Sequence, residues 1–213
     1  MTFELFESEP ITTLHFENQA QRRGYRVVAG IDEAGRGPLA GPVVAAAVIL
    51  PSSFDLPGLT DSKKLSEAAR ERLFPEIRRQ AIAIGVGLGS PSLIDQINIL
   101  QATLKAMSLA VQRLRTPADF LLVDGNQQVP LPLPQQTLKQ GDSRSLSIAA
   151  ASVVAKVIRD RIMFGLEQRF PGYGFGQHKG YGSRQHLDAI AQLGPSPIHR
   201  LSFRGVKEHV RGM

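Results

Sequence analysis

The sequence contains no cysteine among its 213 residues, so disulfide bonds and metal sites built from thiolates are excluded. A chain without cysteine suits a reducing compartment, and we expect a cytoplasmic protein. Its five histidines are scattered without the spacing of metal ligands. We therefore predict no metal site that uses histidine.

Long hydrophobic segments are also missing. The longest apolar run, residues 43–50, is far too short to cross a bilayer. The N-terminus carries Glu4, Glu7 and Glu9 instead of the basic and then apolar pattern of an export signal. We expect a soluble protein that is neither exported nor bound to a membrane. Nothing in the sequence argues for an oligomer, so we also expect a monomer.

The composition does provide enough apolar surface for one sizeable core, since 42% of the residues are hydrophobic. There are 25 lysines and arginines against 19 aspartates and glutamates, which gives a net charge of +6. A basic chain of this kind suits a polyanionic partner such as nucleic acid. Surplus lysine on a solvated surface is the alternative.

Two adjacent carboxylates, Asp32 and Glu33, end an apolar run that predicts a buried strand over residues 26–32. The glycine-rich residues 35–37 follow and would let a ligand approach the main chain. Two hard oxygen ligands suit Mg²⁺ or Mn²⁺. The alternative is an acidic turn at a strand end.

A phosphate-binding loop starting at Gly30 is a further alternative for this stretch, because the glycine spacing resembles that motif. However, Arg36 and Gly37 stand where the motif needs Lys and Ser or Thr. Two acids inside the loop would also repel phosphate. We therefore discard this interpretation.

A second strand, residues 120–124, ends in Asp124 and is followed by Gly125. The segment before it predicts a long core helix over residues 90–114. A helical crossover between two buried strands makes them parallel, and ligand sites collect at the carboxyl ends of such strands. We therefore expect Asp124 to lie beside Asp32.

The strongest predicted helix covers residues 145–170, and it carries Ser152, Lys156 and Asp160 at a spacing of four. One interpretation is an ordinary Lys–Asp pair on a solvated face. The other makes Asp160 a fourth carboxylate of the metal site, with Lys156 and Ser152 near the same substrate.

Two further segments are candidates for contacts with nucleic acid. Lys63 and Lys64 precede a predicted helix over residues 66–80 and form either a phosphate clamp or a solvated pair. The loop 171–183 mixes glycines, aromatics, His178 and Lys179, which suits either stacking and phosphate contacts or a packed surface loop.

The hydrophobic pattern of the remaining residues predicts several further short helices and strands. The helices and strands not yet named are expected at residues 15–23, 42–50, 81–88, 135–139 and 183–193. Pro75 predicts a kink or break in the helix 66–80.

Together these motifs make the chain similar to bacterial ribonuclease HII, of the type 2 ribonuclease H family, over roughly residues 16–206. The motifs are Gly30-Ile31-Asp32-Glu33-Ala34-Gly35-Arg36-Gly37-Pro38, Asp61-Ser62-Lys63-Lys64-Leu65, Val123-Asp124-Gly125, Ser147 to Asp160, and His178-Lys179-Gly180-Tyr181-Gly182. The resemblance implies an α/β fold: an RNase H-like mixed five-stranded sheet flanked by helices, with a small helical C-terminal part.

The resemblance also implies a division of the chain. Residues 14–170 would form the catalytic domain, and residues 171–213 would complete the substrate groove. Residues 1–13 show no strong period and contain Pro10, so from the sequence itself we expect them to be a loosely attached extension.

The resemblance implies an endoribonuclease that hydrolyses the RNA strand of RNA–DNA hybrids. It would also cut 5′ of ribonucleotides embedded in duplex DNA, leaving 5′-phosphate and 3′-hydroxyl ends. Two divalent cations, Mg²⁺ or Mn²⁺, would assist an in-line attack of water. The implied catalytic and metal-binding acids are Asp32, Glu33, Asp124 and Asp160.

The implied substrate contacts come from several segments. The backbone of the glycine-rich loop would read the ribose 2′-hydroxyl, and Tyr181 would stack on the sugar of the next deoxynucleotide. The implied substrate-binding residues are Gly35, Arg36, Gly37, Lys63, Lys64, Ser152, Lys156, His178, Lys179 and Tyr181. Two departures from the family pattern are Ser183, where threonine is usual, and residues 202–206, which lack an expected proline.

Two other functions remain as alternatives. One is a different nuclease on the same acidic scaffold, which would be indifferent to the 2′-hydroxyl. The other is a binding protein without activity, in which the acids pair with Arg36, Lys156 or Lys179.

Overall fold

The computed structural model describes residues 13–210. The extension expected at the N-terminus therefore lies outside the described residues, apart from Thr13. The amide of Thr13 donates to the carbonyl of Arg144, and its carbonyl accepts from the amide of Leu146. The helices are α1 (His15–Arg22), α2 (Glu67–Gln80), α3 (Pro91–Gln112), α4 (Leu146–Arg169), α5 (Phe175–His178) and α6 (Arg184–Leu193).

The strands form one mixed sheet in the order β3-β2-β1-β4-β5. β2 pairs antiparallel with both β1 and β3, whereas β4 pairs parallel with β1 and β5 parallel with β4. The predicted five-stranded sheet flanked by helices is confirmed. The strands are β1 (Val28–Ala34), β2 (Val43–Ile49), β3 (Ala83–Gly89), β4 (Phe120–Asp124) and β5 (Gln135–Leu138).

β2 is buried on both faces because helices cover both sides of the sheet. Its odd-numbered residues pack in one apolar cluster with α3, and Ala46 and Val48 pack in another with α2 and α4. This is the reason for a continuous apolar run without alternation. None of the helices found in residues 13–210 combines the length and the hydropathy of a membrane-spanning segment.

Two helices differ in detail from the sequence prediction. α3 contains a kink at Asn98, whose backbone has φ 68°, and the Asn98 side chain accepts from the amide of Gln101. This side chain caps the second half of the helix, as Asn does at helix starts. α2 continues through Pro75, where a kink or break was predicted.

Close backbone contact between β1 and α4 depends on Gly30. A Cβ atom built on Gly30 would overlap the backbone of Ser147 at the start of α4. Gly35 directly follows β1, and a Cβ atom built on it would overlap the side chain of Arg159 in α4. Helix α4 therefore runs beside β1 from Gly30 to the loop that follows the strand.

We predict that Gly30→Ala lowers the free energy of unfolding by about 1–3 kcal/mol or more, because the helix must move to admit the methyl group. Gly165→Ala is the matched control, since this glycine lies in α4 with no atom within 4 Å of an added Cβ. The control should raise stability by up to about 1 kcal/mol. Urea unfolding of both variants tests this, and equal stabilities would contradict the packing argument.

Candidate metal centre and nucleic-acid interface

The sheet brings three aspartates together at the carboxyl ends of β1 and β4. The parallel pairing of the two strands ends at Ile31 and Val123, so the next residues, Asp32 and Asp124, are neighbours. Asp142 joins them from the short helical turn Gly141–Ser143. One carboxylate oxygen from each aspartate lies within 4.8 Å of the others. The proximity of Asp32 and Asp124 expected from parallel strands is present.

Glu33 lies beside this group on the other face of β1. The strand continues to Ala34, beyond the predicted end at Asp32. Ile31 packs in the cluster with α3 and Ala34 in the cluster with α4, so alternation turns Glu33 toward α3 and Asp32 toward α4. Glu33 also pairs with Arg36 at 3.5 Å.

Asp142 is a site residue that the sequence analysis missed. The amide of Gly141 donates to Asp124 Oδ1 at 2.6 Å, which docks this turn against the end of β4. The only local signal was an aspartate next to a glycine just before a helix with a serine cap, Ser145. Such a pattern is common at ordinary helix starts, so it did not single out Asp142.

Asp160, the predicted fourth acid, does not belong to this group of carboxylates. Its carboxylate lies 2.6 Å from Lys156 Nζ, one turn earlier in α4. Its neighbour Arg159 packs its side chain against Gly35. Asp142 is the third carboxylate of the group, and a metal-binding role for Asp160 stays a prediction from the sequence.

The cluster holds more negative charge than its surroundings favour. Burial raises the pKa of Asp32 well above its usual value, and repulsion from Glu33, Asp124 and Asp142 adds to the rise. Burial likewise raises the pKa of Glu33 despite the opposing charge of Arg36. Burial raises the pKa of Asp142 too, although Lys63 opposes it. The carboxylates therefore need a proton or a cation, and their hard oxygen atoms fit a divalent ion such as Mg²⁺ or Mn²⁺.

Lys63 lies at the edge of the acidic cluster, with Nζ 3.1 Å from Asp142 Oδ2. Burial alone lowers the pKa of its ammonium group, but the charges of Asp142 and Asp32 outweigh burial and leave the pKa above its usual value. The loop that carries Lys63 is fixed by a bond from the Ser62 amide to the buried Ser152 hydroxyl. Ser152 thus holds the loop, and Lys64 is exposed in the same turn.

The glycine-rich loop and Tyr181 lie side by side. Gly35 has φ +93°, a conformation that favours glycine. A Cβ on Gly37 would lie 3.7 Å from Tyr181 Cε1, and the tyrosine ring is about half exposed. The two predicted elements of ribose recognition are therefore adjacent.

His178 and Lys179 are turned toward their own loop. His178 Nε2 lies 2.7 Å from the carbonyl of Tyr173, and its Nδ1 accepts from the amide of Gly180. Lys179 Nζ donates to the carbonyl of Gly176. These bonds shape the loop, so the geometry gives no support to the predicted phosphate contacts of these two side chains.

Two fully buried arginines were not found from the sequence. Arg159 donates to the carbonyls of Ala40, Pro42 and Lys179. Arg200 donates to the carbonyls of Gly35, Arg36 and Gly41. Arginine is mostly exposed in proteins, and no periodic pattern marks a buried one.

A pair of buried histidines links the C-terminal segment to Tyr181. His199 Nδ1 accepts from the Ser196 amide, so its Nε2 carries the proton and donates to His186 Nε2 at 3.0 Å. His186 Nδ1 then donates to the carbonyl of Tyr181. Burial, with repulsion from His186, lowers the pKa of His199 to about 4. The chain of bonds therefore requires both rings to be neutral.

Comparisons with known proteins point to one family. The family model described as ribonuclease HII matches residues 29–206. A ribonuclease HII of Syntrophotalea carbinolica is 66% identical over 207 residues, which are 97% of this chain and 99% of that protein. A ribonuclease HII of Geobacter sulfurreducens is 63% identical over 211 residues, 99% of this chain and 97% of that protein.

A solved structure supports the same relationship. The ribonuclease H2 of Pyrococcus horikoshii OT3 matches with a TM-score of 0.70 and 26% identity. The match covers 86% of this chain and 96% of that chain.

We predict that Mg²⁺ or Mn²⁺ stabilises the protein through Asp142. A cation that binds the folded state at about 100 times its Kd should raise Tm by roughly 5–10 °C. Asp142→Asn should abolish this rise, whereas Asp160→Asn, the matched control, should keep it. Thermal unfolding with and without the cation tests this. A rise that Asp160→Asn removes and Asp142→Asn keeps would contradict the assignment.

We also predict that His199 makes stability depend on acidity. Between pH about 4 and 6.5 the unfolded chain binds a proton at this position and the folded chain does not, so the free energy of unfolding rises with pH. The contribution across that range is about 3 kcal/mol. His199→Asn should flatten the profile measured by urea unfolding, relative to His15→Asn at an exposed histidine. Parallel profiles for the two variants would contradict the prediction.

Proposed function

This chain belongs to the ribonuclease HII family, and we propose that it hydrolyses the RNA strand of RNA–DNA hybrids and cuts 5′ of ribonucleotides embedded in duplex DNA. The observation that carries the proposal is the position of the acidic cluster beside a loop with free backbone donors. Arg36 and Gly37 are exposed residues, and their amides donate no hydrogen bond to another described residue. They are therefore available to a ribose 2′-hydroxyl oxygen, the group that distinguishes RNA from DNA.

The acids that we propose as cation ligands are Asp32, Glu33, Asp124 and Asp142. The raised pKa values of Asp32, Glu33 and Asp142, and the closeness of Asp124 to Asp32 and Asp142, favour exchange of protons for two divalent cations, Mg²⁺ or Mn²⁺. When bound, such ions stabilise both the attacking water and the departing 3′-oxygen of a phosphodiester. Hydrolysis would then leave a 5′-phosphate on the ribonucleotide and a free 3′-hydroxyl.

The residues around the acids would bind and orient the substrate. Lys63 places a positive charge at the edge of the cluster, which attracts the phosphate backbone. Arg36 has a half-exposed side chain that reaches Glu33 and can also meet a phosphate. Tyr181 presents an exposed ring next to Gly37, where it would stack on the sugar that follows the ribonucleotide.

The acidic cluster also argues against a binding protein without activity. Carboxylates at the centre of a nucleic-acid surface repel phosphates unless cations neutralise them. This alternative requires the acids to pair with Arg36, Lys156 or Lys179. Within residues 13–210, two such ion pairs are present, Glu33 with Arg36 and Asp160 with Lys156. Asp32 and Asp124 have no such partner among the ion pairs of the described residues.

We predict that Asp142→Asn lowers cleavage of a duplex with one ribonucleotide by more than the roughly 10- to 100-fold typical of losing a partner outside the metal's own ligands. Asp160→Asn is the matched control and should lose less than about tenfold. The assay compares this duplex with an all-DNA duplex of the same sequence, each with Mg²⁺ and with EDTA.

Each outcome of this assay has a distinct meaning. Cleavage of both duplexes would favour a nuclease indifferent to the 2′-hydroxyl. Binding without cleavage would favour the inactive alternative, and full activity in EDTA would overturn the metal-dependent mechanism. Loss of activity in Asp160→Asn alone would restore the acid set expected from the sequence.

A further inference from the structure

Arg200 is a fully buried arginine that is held by backbone oxygens. Its Nη2 donates to Gly35 O at 2.5 Å and Gly41 O at 2.9 Å, its Nη1 to Arg36 O at 2.8 Å, and its Nε to Gly41 O at 3.1 Å. No ion pair of the described residues includes it. A buried charge is costly unless its donors are satisfied, and here four of the five N–H groups of the guanidinium have acceptors.

These bonds fix the direction of two consecutive peptide groups. In a trans peptide the C=O and the following N–H point in opposite directions. Because Arg200 draws the carbonyls of Gly35 and Arg36 inward, the amides of Arg36 and Gly37 point away from it. Both residues are exposed, and neither amide donates to a described residue. Two successive free amides next to a glycine with positive φ form a concave surface that suits an oxygen acceptor.

Arg200 is itself held in place by its neighbours. Its amide donates to the carbonyl of Leu39. The following turn is tied to α3, since Asp95 accepts from the amides of Leu201 and Ser202 at 2.9 Å each. The guanidinium also lies 5.1 Å from the ring centre of Phe203. The loop therefore takes its shape from a residue more than 160 positions away along the chain.

We propose that Arg200 is a positioning residue that sets the preference for a ribonucleotide over a deoxyribonucleotide. It does so by holding the carbonyls of Gly35 and Arg36, so that the amides of Arg36 and Gly37 converge on the 2′-hydroxyl oxygen. Lys in its place keeps a positive charge but loses the planar fork that binds several carbonyls at once. This inference rests on the proposed function, because it assigns the origin of the ribose preference in that same site.

Arg159 provides a matched control for the substitution. It is also fully buried and also bonded to carbonyls, but these belong to Ala40, Pro42 and Lys179. None of its bonds orients the two amides in question. Arg159→Lys should therefore cost stability, as Arg200→Lys should, without removing the ribose preference.

The experiment measures binding of two duplexes that differ by a single 2′-hydroxyl, by fluorescence anisotropy with Ca²⁺ in place of Mg²⁺. The ratio of the two Kd values is the readout, together with KM and kcat for cleavage in Mg²⁺. Arg200→Lys should lower the Kd ratio by about tenfold, the loss expected from one misplaced hydrogen bond, and should raise KM more than it lowers kcat. Arg159→Lys should keep the ratio within about threefold of the wild-type value.

The remaining outcomes decide the matter. A folded Arg200→Lys variant with the wild-type ratio would overturn the inference and leave the proposed function standing. A wild-type protein that binds both duplexes equally would overturn the proposed function and the inference with it. If Arg200→Lys does not fold, Asp95→Asn takes its place, because it loosens the turn that carries Arg200. A reduced ratio in that variant supports the inference, and an unchanged ratio refutes it.

Discussion

Repulsion among closely spaced carboxylates is the constraint around which this structure is arranged. Asp32, Asp124 and Asp142 come from three separate segments, and folding brings their charges within a few ångströms of each other. The sheet tolerates them because β1 stays paired with β2 as far as Ala34, although its pairing with β4 ends at Ile31. The residues of β2 opposite Asp32 and Glu33 are the small Ala46 and Ala45. The packing of the apolar core thus offsets the destabilising repulsion at this charged edge of the sheet. A divalent cation bound between the carboxylates would reduce that repulsion directly.

The second organising feature is the short chain distance between the acids and the recognition loop. Asp32 and Gly37 are separated by five residues, which can span at most about 18 Å. The backbone from Asp32 to Gly37 therefore fixes the distance between the recognised ribose and the phosphodiester bond that is cut. Arg200 stiffens that stretch through its bonds to the carbonyls of Gly35 and Arg36. In our account, the residues that recognise the ribose and the acids that bind the cations lie on the same rigid backbone segment.

Much of this arrangement could be predicted from the sequence because it depends on local patterns. The strands, the parallel pairing across α3 and the meeting of Asp32 with Asp124 follow from hydrophobic runs and connection lengths. The sequence did not show whether Asp142 or Asp160 joins Asp32 and Asp124. An acid on a helix face and an acid in a turn are equally suitable ligands when the distances between them are unknown. Arg159 and Arg200 escaped notice because their partners are backbone carbonyls, which have no sequence signature. The inward orientation of His178 likewise depends on loop geometry that no spacing rule describes.

The most direct test of the account is anomalous diffraction from crystals grown with Mn²⁺. We expect an anomalous peak within about 2.0–2.2 Å of carboxylate oxygens from Asp32, Asp124 and Asp142, with no peak at Asp160. A manganese ion bound by Asp160 without Asp142, or no bound ion at the ends of β1 and β4, would contradict it.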